Sequence, residues 1–435
     1  MKRKTAVFFL VLIALLSLLA SPVSAATCII EEAPAATLLL PYFEVKLNDP
    51  NGVTTLFSIN NAAAEAVLAH VVVWSDLAVP VLAFNLYLTG YDVQTINLRD
   101  VLVNGVLPRT ASEGQDPGDQ ISPRGEFSRD VNFASCNGFL PPAPVMPAEF
   151  LQHLQRSLTG QPSPILENRC AGRNLRDNVA RGYVTVDTVK NCTLRFPGDA
   201  DYFVAGGRGD ATNQNVLWGD YFYINPSEGF AQGDTLVHIQ ADAANPQLST
   251  PGRYTFYGRY VGWSAIDNRQ PLATNFAVRF LRGGPFSGGT SLAVWRDPKI
   301  NQTAFNCPVS ADSTPPRPSW FPLSQEGVVI FDEQETPVVP EGPPGSPPPV
   351  FIFIPFPAAA QRTPVGGSDL EVPFQFGWLY LDLNTTVTPA GANPPVDPAA
   401  AQAWVTAIMD ASGRFSVGFD AIQLDSACTA LHFIP

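Results

Sequence analysis

The sequence predicts an all-β protein: one or two immunoglobulin-like antiparallel β-sandwiches with long loop insertions and one short helix. Three observations carry this. Apolar residues recur with period two in run after run, as in half-buried strands. Short turns rich in Asn, Asp, Pro and Gly separate the runs. Aromatic residues make up 11% of the 435 residues, too many for a disordered chain even with 42 Pro and 33 Gly.

The N-terminus reads as a secretory signal peptide. Residues 1–4 are basic, residues 6–20 are apolar apart from Ser17, and Val23-Ser24-Ala25 resembles a cleavage site. Thr27 rather than a small residue precedes Cys28, which argues against lipid attachment. No later stretch is long enough to span a bilayer, so no membrane span is expected after cleavage. The expected location is secreted, extracellular or periplasmic. The net charge is −13, and Lys2, Arg3 and Lys4 leave with the signal, giving −13 − 3 = −16. Only Lys46, Lys190 and Lys299 then remain as lysines. So acidic a chain does not neutralise a phosphate backbone, which excludes nucleic acid as a partner.

The strands follow in order. Residues 54–59 alternate around Phe57 and Ile59. Residues 66–74 form a Val-rich run suited to a central strand buried on both faces. Leu82, Phe84, Leu86 and Leu88 alternate cleanly, and residues 93–98 follow Gly90 and Tyr91. Residues 108–147 are an irregular excursion rich in Gly, Pro and Asp. A helix is expected over 147–159, with Pro147 at its first position. Phe150, Leu151, Leu154 and Leu158 share one face, and Gly160 supplies the stop. Strands resume at 182–189, 216–224, 235–241, 253–262, 275–280, 291–295 and 328–331.

Residues 337–357 are Pro-rich, which suits an edge element or an exposed loop because Pro cannot donate to a ladder. Residues 372–383 alternate around Phe374, Phe376, Trp378 and Tyr380. Residues 403–409 and 414–424 flank the hairpin turn Asp410-Ala411-Ser412-Gly413. A weak repeat relates Val71-Val72-Val73-Trp74-Ser75-Asp76 to Leu292-Ala293-Val294-Trp295-Arg296-Asp297, each after a Phe-bearing strand, Phe57 and Phe276. It suggests two duplicated sandwiches, each with one inward Trp. The expected division is a signal over 1–25, an N-terminal sandwich over 26–245 and a C-terminal sandwich over 246–435.

Six cysteines remain after cleavage, and an even number in an oxidising compartment suggests disulfides. Fifteen pairings are open. The expectation is Cys170 with Cys192, nearest in sequence, then Cys28 with Cys428 and Cys136 with Cys307. There is no C-x-x-C, and His70, His153, His238 and His432 are scattered, so zinc is not indicated.

The search for chemistry returns little. Gly262-Trp263-Ser264-Ala265-Ile266 lacks the last glycine of a nucleophile elbow. No H-E-x-x-H, phosphate loop or dinucleotide fingerprint is present. Gly206-Gly207-Arg208-Gly209-Asp210 contains an integrin-type tripeptide that arises easily by chance. No cofactor is expected. Calcium is the one ion with candidate loops: Asn48, Asp49 and Asn51; Asp116 and Asp119; Asp199 and Asp201. These residue types are also ordinary turn formers. For carbohydrate, Trp218, Asp220 and Tyr221, with Tyr223, put aromatic platforms beside one carboxylate, and Asp187 supplies a second. Two carboxyl groups with aromatic platforms suit a glycosidase; the same aromatics exposed on one face suit sugar stacking without catalysis.

The stretches Leu38-Leu39-Leu40-Pro41-Tyr42-Phe43-Glu44-Val45, Thr54-Thr55-Leu56-Phe57-Ser58-Ile59-Asn60-Asn61 and Tyr87-Leu88-Thr89-Gly90-Tyr91-Asp92-Val93 are distinctive. So are residues 178–187 and 413–420. Across most of the mature length the chain resembles a group of exported bacterial proteins of no known activity, described only as hypothetical. The resemblance implies a bacterial secreted protein and nothing about chemistry. The expected function is therefore a non-catalytic binding or structural protein of the cell surface or extracellular space, its partner a glycan or another surface protein. The alternative is a carbohydrate-active hydrolase or carbohydrate-binding protein.

Overall fold

A computed structural model describes residues 33–108, 110, 136, 145–242, 255–284, 288–298, 303–307, 318, 320–338, 354–384, 402–411 and 414–424. The expected signal peptide, Cys28, Cys428, Asp116, Asp119 and most of the 108–147 excursion lie outside these residues.

The chain is all-β. The strands before residue 240 are β1 (Thr37–Lys46), β2 (Thr54–Asn61), β3 (Val67–Ser75), β4 (Pro80–Leu88), β5 (Val93–Asn97), β6 (Val179–Val189), β7 (Leu217–Trp218), β8 (Asp220–Asn225), β9 (Phe230–Thr235) and β10 (Val237–Ile239). They form a first sheet in the order β10-β1-β6-β3-β4 and a second in the order β5-β2-β8-β9, with β7 also on β2. The later strands are β11 (Asn275–Leu281), β12 (Gly289–Arg296), β13 (Gly327–Asp332), β14 (Pro337–Val338), β15 (Ala360–Pro364), β16 (Phe376–Asp382), β17 (Ala403–Asp410), β18 (Ser416–Asp420) and β19 (Ile422–Gln423). They form a third sheet, β15-β12-β17-β18, and a fourth, β14-β13-β16-β11-β19. Every one of these pairings is antiparallel.

Alternation decides which face each strand buries. Leu379 and Leu381 of β16 and Val328 and Ile330 of β13 pack against Leu292 and Val294 of β12 and Val405 and Ala407 of β17. The residues between them look the other way. Ala293, Trp295, Trp404 and Ile408 join the cluster of the first sheet, with Val72, Trp74 and Tyr183. The third sheet is thus apolar on both faces. Each Trp removes roughly 200 Å² from water, worth about 5 kcal/mol before entropy is subtracted. In both halves the Phe-bearing strand of the repeat (β2, β11) lies in the sheet opposite the Trp-bearing strand (β3, β12). The two Trp side chains both pack on Tyr183 at the contact between the halves, rather than each sitting inward in its own sandwich as the repeat suggests.

Arg296, buried on β12, ties three segments together by donating to the carbonyls of Leu323, Ser324, Phe356 and Leu383. At one rim β9 runs beside β18, and the Ser416 hydroxyl donates to the Ala231 carbonyl.

Helix α1 (Leu98–Leu102) is not expected from periodicity because it is a single turn; the Asn97 side chain caps it by accepting from the Arg99 N–H. Helix α2 (Ala148–Leu158) starts after Pro147 and buries Leu154 and Leu158, with Phe150 partly covered. Residues 253–262 are expected as a strand, but 256–263 form consecutive turns. Their aromatic side chains are claimed by the first sheet instead: the Tyr257 hydroxyl reaches Asp187, and Arg259 beside it pairs with Asp297. In the Pro-rich segment, β14 is the edge strand that proline permits.

The disulfide expectation needs correction. Cys136 bonds Cys192, and Cys170 bonds Cys307. Cys170 and Cys192 flank β6, whose 11 residues span roughly 36 Å at about 3.3 Å each. Bonded cysteines need Cα atoms within about 7 Å, so nearness in sequence here means distance in space. Cys136 therefore does not pair with Cys307. It packs with Leu68, Tyr87 and Val189 beside Cys192.

Candidate functional site

Of the residues singled out in the sequence, Trp218 and Asp220 share one face. Trp218 ends β7 and Asp220 begins β8, with Gly219 between them. Gly219 is required there: a Cβ would lie 2.1 Å from the Ser58 carbonyl oxygen. Alternation then carries Trp218, Asp220 and Phe222 to the outer face of the second sheet. Trp218 is 41% exposed and Phe222 45%. Tyr221 and Tyr223 point the opposite way and are buried. The Tyr223 hydroxyl donates to the Tyr42 carbonyl at 2.8 Å, and the Tyr221 hydroxyl lies 3.5 Å from Thr406 Oγ1.

Asp187 is elsewhere. It lies on β6, which pairs with β1 and β3, whereas β8 pairs with β2 and β9 in the other sheet. The structure does not bring Asp187 and Asp220 together. Register instead aligns Asn85, His70, Asp187 and Thr37 in one polar row across four adjacent strands of the first sheet. Asp187 is fully buried and accepts from the hydroxyls of Thr37, Tyr202 (2.7 Å) and Tyr257 (3.0 Å). Buried Arg269 lies 3.7 Å away and also donates to Thr37 and to two carbonyls. Burial holds the Tyr202 and Tyr257 phenols neutral by raising them far above their usual range. The row clamps the segments around 202 and 257–269 onto the sheet.

His70 within it faces two acceptors, Asn85 Oδ1 at 3.0 Å and the Arg195 carbonyl at 2.9 Å. The Asn85 amide is oriented by Thr193, whose N–H donates to its oxygen and whose carbonyl accepts from its nitrogen. Burial nonetheless pushes His70 below its usual value.

On the outer face of the second sheet, cross-strand register sets three rows. Val93, Asn60 and Trp218 make one; Thr95, Ser58 and Asp220 the next; Asn97, Leu56, Phe222 and Gly233 the third. A Cβ on Gly233 would lie 2.5 Å from two atoms of the Phe222 ring, so this ring lies flat over the glycine with its other side outward. The Ser58 hydroxyl donates to Asp220 Oδ1 at 2.8 Å. Its oxygen accepts from Asn60 Nδ2 at 3.3 Å. Asn60 is 5% exposed, and its Oδ1 has no partner among the described residues. A buried orphan acceptor of this kind costs about 1–3 kcal/mol. The sequence signal for Phe222 is the alternation that groups Trp218 with Asp220; Asn60 carries no local signal.

Other candidates are already satisfied from within. The loop holding Asn48, Asp49 and Asn51 is organised around the Arg99 guanidinium, which donates to the carbonyls of Lys46, Asp49, Gly52 and Val53. Asp199 accepts from the Phe196 N–H, and Asp201, exposed beside it, has a left-handed backbone, φ 67°. Among the described residues no three His, Cys, Asp or Glu side chains converge as a metal set. Asp210 of the integrin-type tripeptide is buried and paired with Arg195 at 2.9 Å.

Between the halves, Trp74, Tyr183, Phe256, Tyr257, Tyr260 and Trp295 form an aromatic cage. Its cation is the chain's own Arg259, 4.4 Å over the Tyr260 ring and 2.7 Å from Asp297. The remaining space is about 10 Å³, at most one water.

No protein-family model, characterised protein or solved structure matches the chain. Two disulfides lie among the described residues, and no described helix is long and apolar enough to cross a membrane.

Proposed function

We propose that this chain is a non-catalytic binding protein that works outside the cytoplasm, on the cell surface or beyond it. One observation carries the reading: Trp218 and Phe222 are exposed on either side of a single carboxylate, Asp220, on the outer face of the second sheet. The neighbouring positions on that face are Val93, Thr95, Asn97, Leu56, Ser58, Asn60, Gly233 and Thr235, none of them acidic. A glycosidase needs a second carboxyl group about 5–10 Å from the first. Exposed aromatics on a rigid sheet supply contact area at low entropic cost.

The disulfides support a working environment that is oxidising, in line with the signal-like N-terminus. The test is a panel of polysaccharides and surface proteins offered to the purified chain, read for retention and for cleavage products. Retention without cleavage is expected. Release of new reducing ends, abolished in Asp220→Asn, overturns the non-catalytic reading.

A further inference from the structure

We infer that the Cys170–Cys307 disulfide is a thiol-sensitive clasp between the two halves: an external thiol opens it at Cys307 and frees the 303–307 segment, while Cys136–Cys192 stays closed and the fold persists. The inference is independent of the binding surface proposed above.

The bond joins parts of the chain that belong to different halves. Cys170 lies between α2 and β6 of the first half, and Cys307 between β12 and β13 of the second. Beside the bond, Cys170 and Phe305 exchange backbone hydrogen bonds of 2.7 and 2.9 Å, and Phe305 packs on the core of the first half. A short stretch of the second half is thus strapped onto the loop that leads from α2 to β6.

The two disulfides differ in what can reach them. Cys136 and Cys192 are 4% and 8% exposed and close within an apolar cluster with Leu68, Tyr87 and Val189. In the clasp the two cysteines are unlike: Cys170 is 1% exposed, whereas Cys307 is partly open to solvent. Exchange needs a thiolate to reach a disulfide sulfur, and here that sulfur is Cys307 Sγ. The thiolate bonds to Cys307 Sγ, the Cys170–Cys307 bond breaks, and its electron pair leaves on Cys170 Sγ, which takes up a proton. A second thiol attacks the incoming group of the mixed disulfide, leaving Cys307 as a thiol and joining the two external sulfurs. Two thiols are oxidised for one disulfide reduced.

The opened state has its partners in place. The Gly160 carbonyl oxygen is 3.3 Å from Cys170 Sγ, and the Asn168 carbonyl oxygen is 3.5 Å from Cys307 Sγ. A disulfide sulfur has no proton to give them, but a thiol does. Reduction therefore strands neither sulfur. The halves keep other ties: the N–H groups of Ala359 and Ala360 donate to the Asp76 carbonyl, Arg362 pairs with Glu44, and Tyr183 packs edge-on against Trp295. The 303–307 segment loses its covalent hold and keeps the Phe305 contacts, so it opens as a local unit.

The test uses the full oxidised chain with reduced glutathione under native conditions, followed by alkylation and peptide mapping. Cys170 and Cys307 are expected to be alkylated at about one-tenth of the glutathione concentration that Cys136 and Cys192 require. Glutathione trapped by acid quench should sit on Cys307. Trypsin should then cut after Arg169, whose side chain is 47% exposed, about tenfold faster, with a single cooperative melt retained. Two single variants isolate the sulfurs: Cys307 left free in Cys170→Ser should react with a chromogenic disulfide about tenfold faster than Cys170 left free in Cys307→Ser. Joint reduction of both pairs, or earlier reduction of Cys136–Cys192, overturns the clasp. Glutathione on Cys170, or equal rates in the two variants, overturns attack at Cys307. Unchanged cleavage after Arg169 overturns the release of the segment. Loss of the cooperative melt on reduction makes the bond a staple of the fold and overturns the switch.

Discussion

Asp234 of β9 and Asp420 of β18 bring two carboxyl groups together where the second and third sheets meet. Burial, and then the charge of Asp420, push Asp234 up to about 6. Asp420 is the better held of the two, since it accepts from Thr406 at 2.7 Å and from the Trp404 indole at 3.0 Å.

Asp234 in the folded chain therefore holds its proton above the value of about 3.9 for an unfolded aspartate. Protonation favours the fold: the stabilisation is complete below about pH 4 and is lost as pH rises through about 6. Asp234→Asn is expected to add about 1 kcal/mol at pH 7, a figure discounted because the side chain is only half-buried, and to add almost nothing at pH 4. Asp267, also pushed up to about 6 by burial, is common to both proteins and cancels. Denaturant melts at the two pH values check this. An equal gain at both removes the titrating carboxylate from the explanation.

Non-reducing peptide mapping is expected to recover Cys136 linked to Cys192 and Cys170 linked to Cys307. A peptide joining Cys170 to Cys192 contradicts the strand between them. The double change Cys170→Ser and Cys307→Ser should lower stability by about 2–4 kcal/mol, read from the shift in denaturation midpoint.

Arg99 stands where a cation-binding loop would hold its ion, with four carbonyls around one guanidinium. Arg99→Ala should cost about 2–3 kcal/mol. Arg99→Lys should recover little of it, because an ammonium lacks the planar fork that reaches all four oxygens. Thermal melts of both variants decide the matter; a lysine variant as stable as wild type rules out the fork geometry.

Asp187→Asn leaves Arg269 buried beside an uncharged amide and disturbs two phenol hydrogen bonds. The expected loss is about 3–5 kcal/mol, as for breaking a buried pair. Urea unfolding measures it. A loss under about 1 kcal/mol would mean that Asp187 has some task other than holding the covering segments to the sheet.

Much of this is legible in the sequence, for local reasons. Period-two alternation places Leu379 and Leu381 inward and Trp378 and Tyr380 outward. The same rule puts Trp218, Asp220 and Phe222 on one face. Helix α2 announces itself by Pro147 and its apolar spacing. What escapes is non-local. Asp187 precedes β8 in the chain yet belongs to a different sheet, since strand order is set by pairing across more than a hundred residues, as between Thr37 and Asp187. The disulfides fail for the same reason. Asn60 becomes significant only when Trp218 arrives beside it from 158 residues away, 218 − 60, in the paired register.

The outward-facing Trp295 and Trp404 of the third sheet have a practical consequence. A chain cut short between the halves does not yield a smaller version of either one. It yields a sheet whose indoles and alanines have lost their packing partners and become an aggregation surface. A protease nick between the halves should, by the same reasoning, leave two fragments that elute together until denatured. The two halves then stand or fall together, since Tyr183 of one half stacks on Trp74 and packs edge-on against Trp295 of the other.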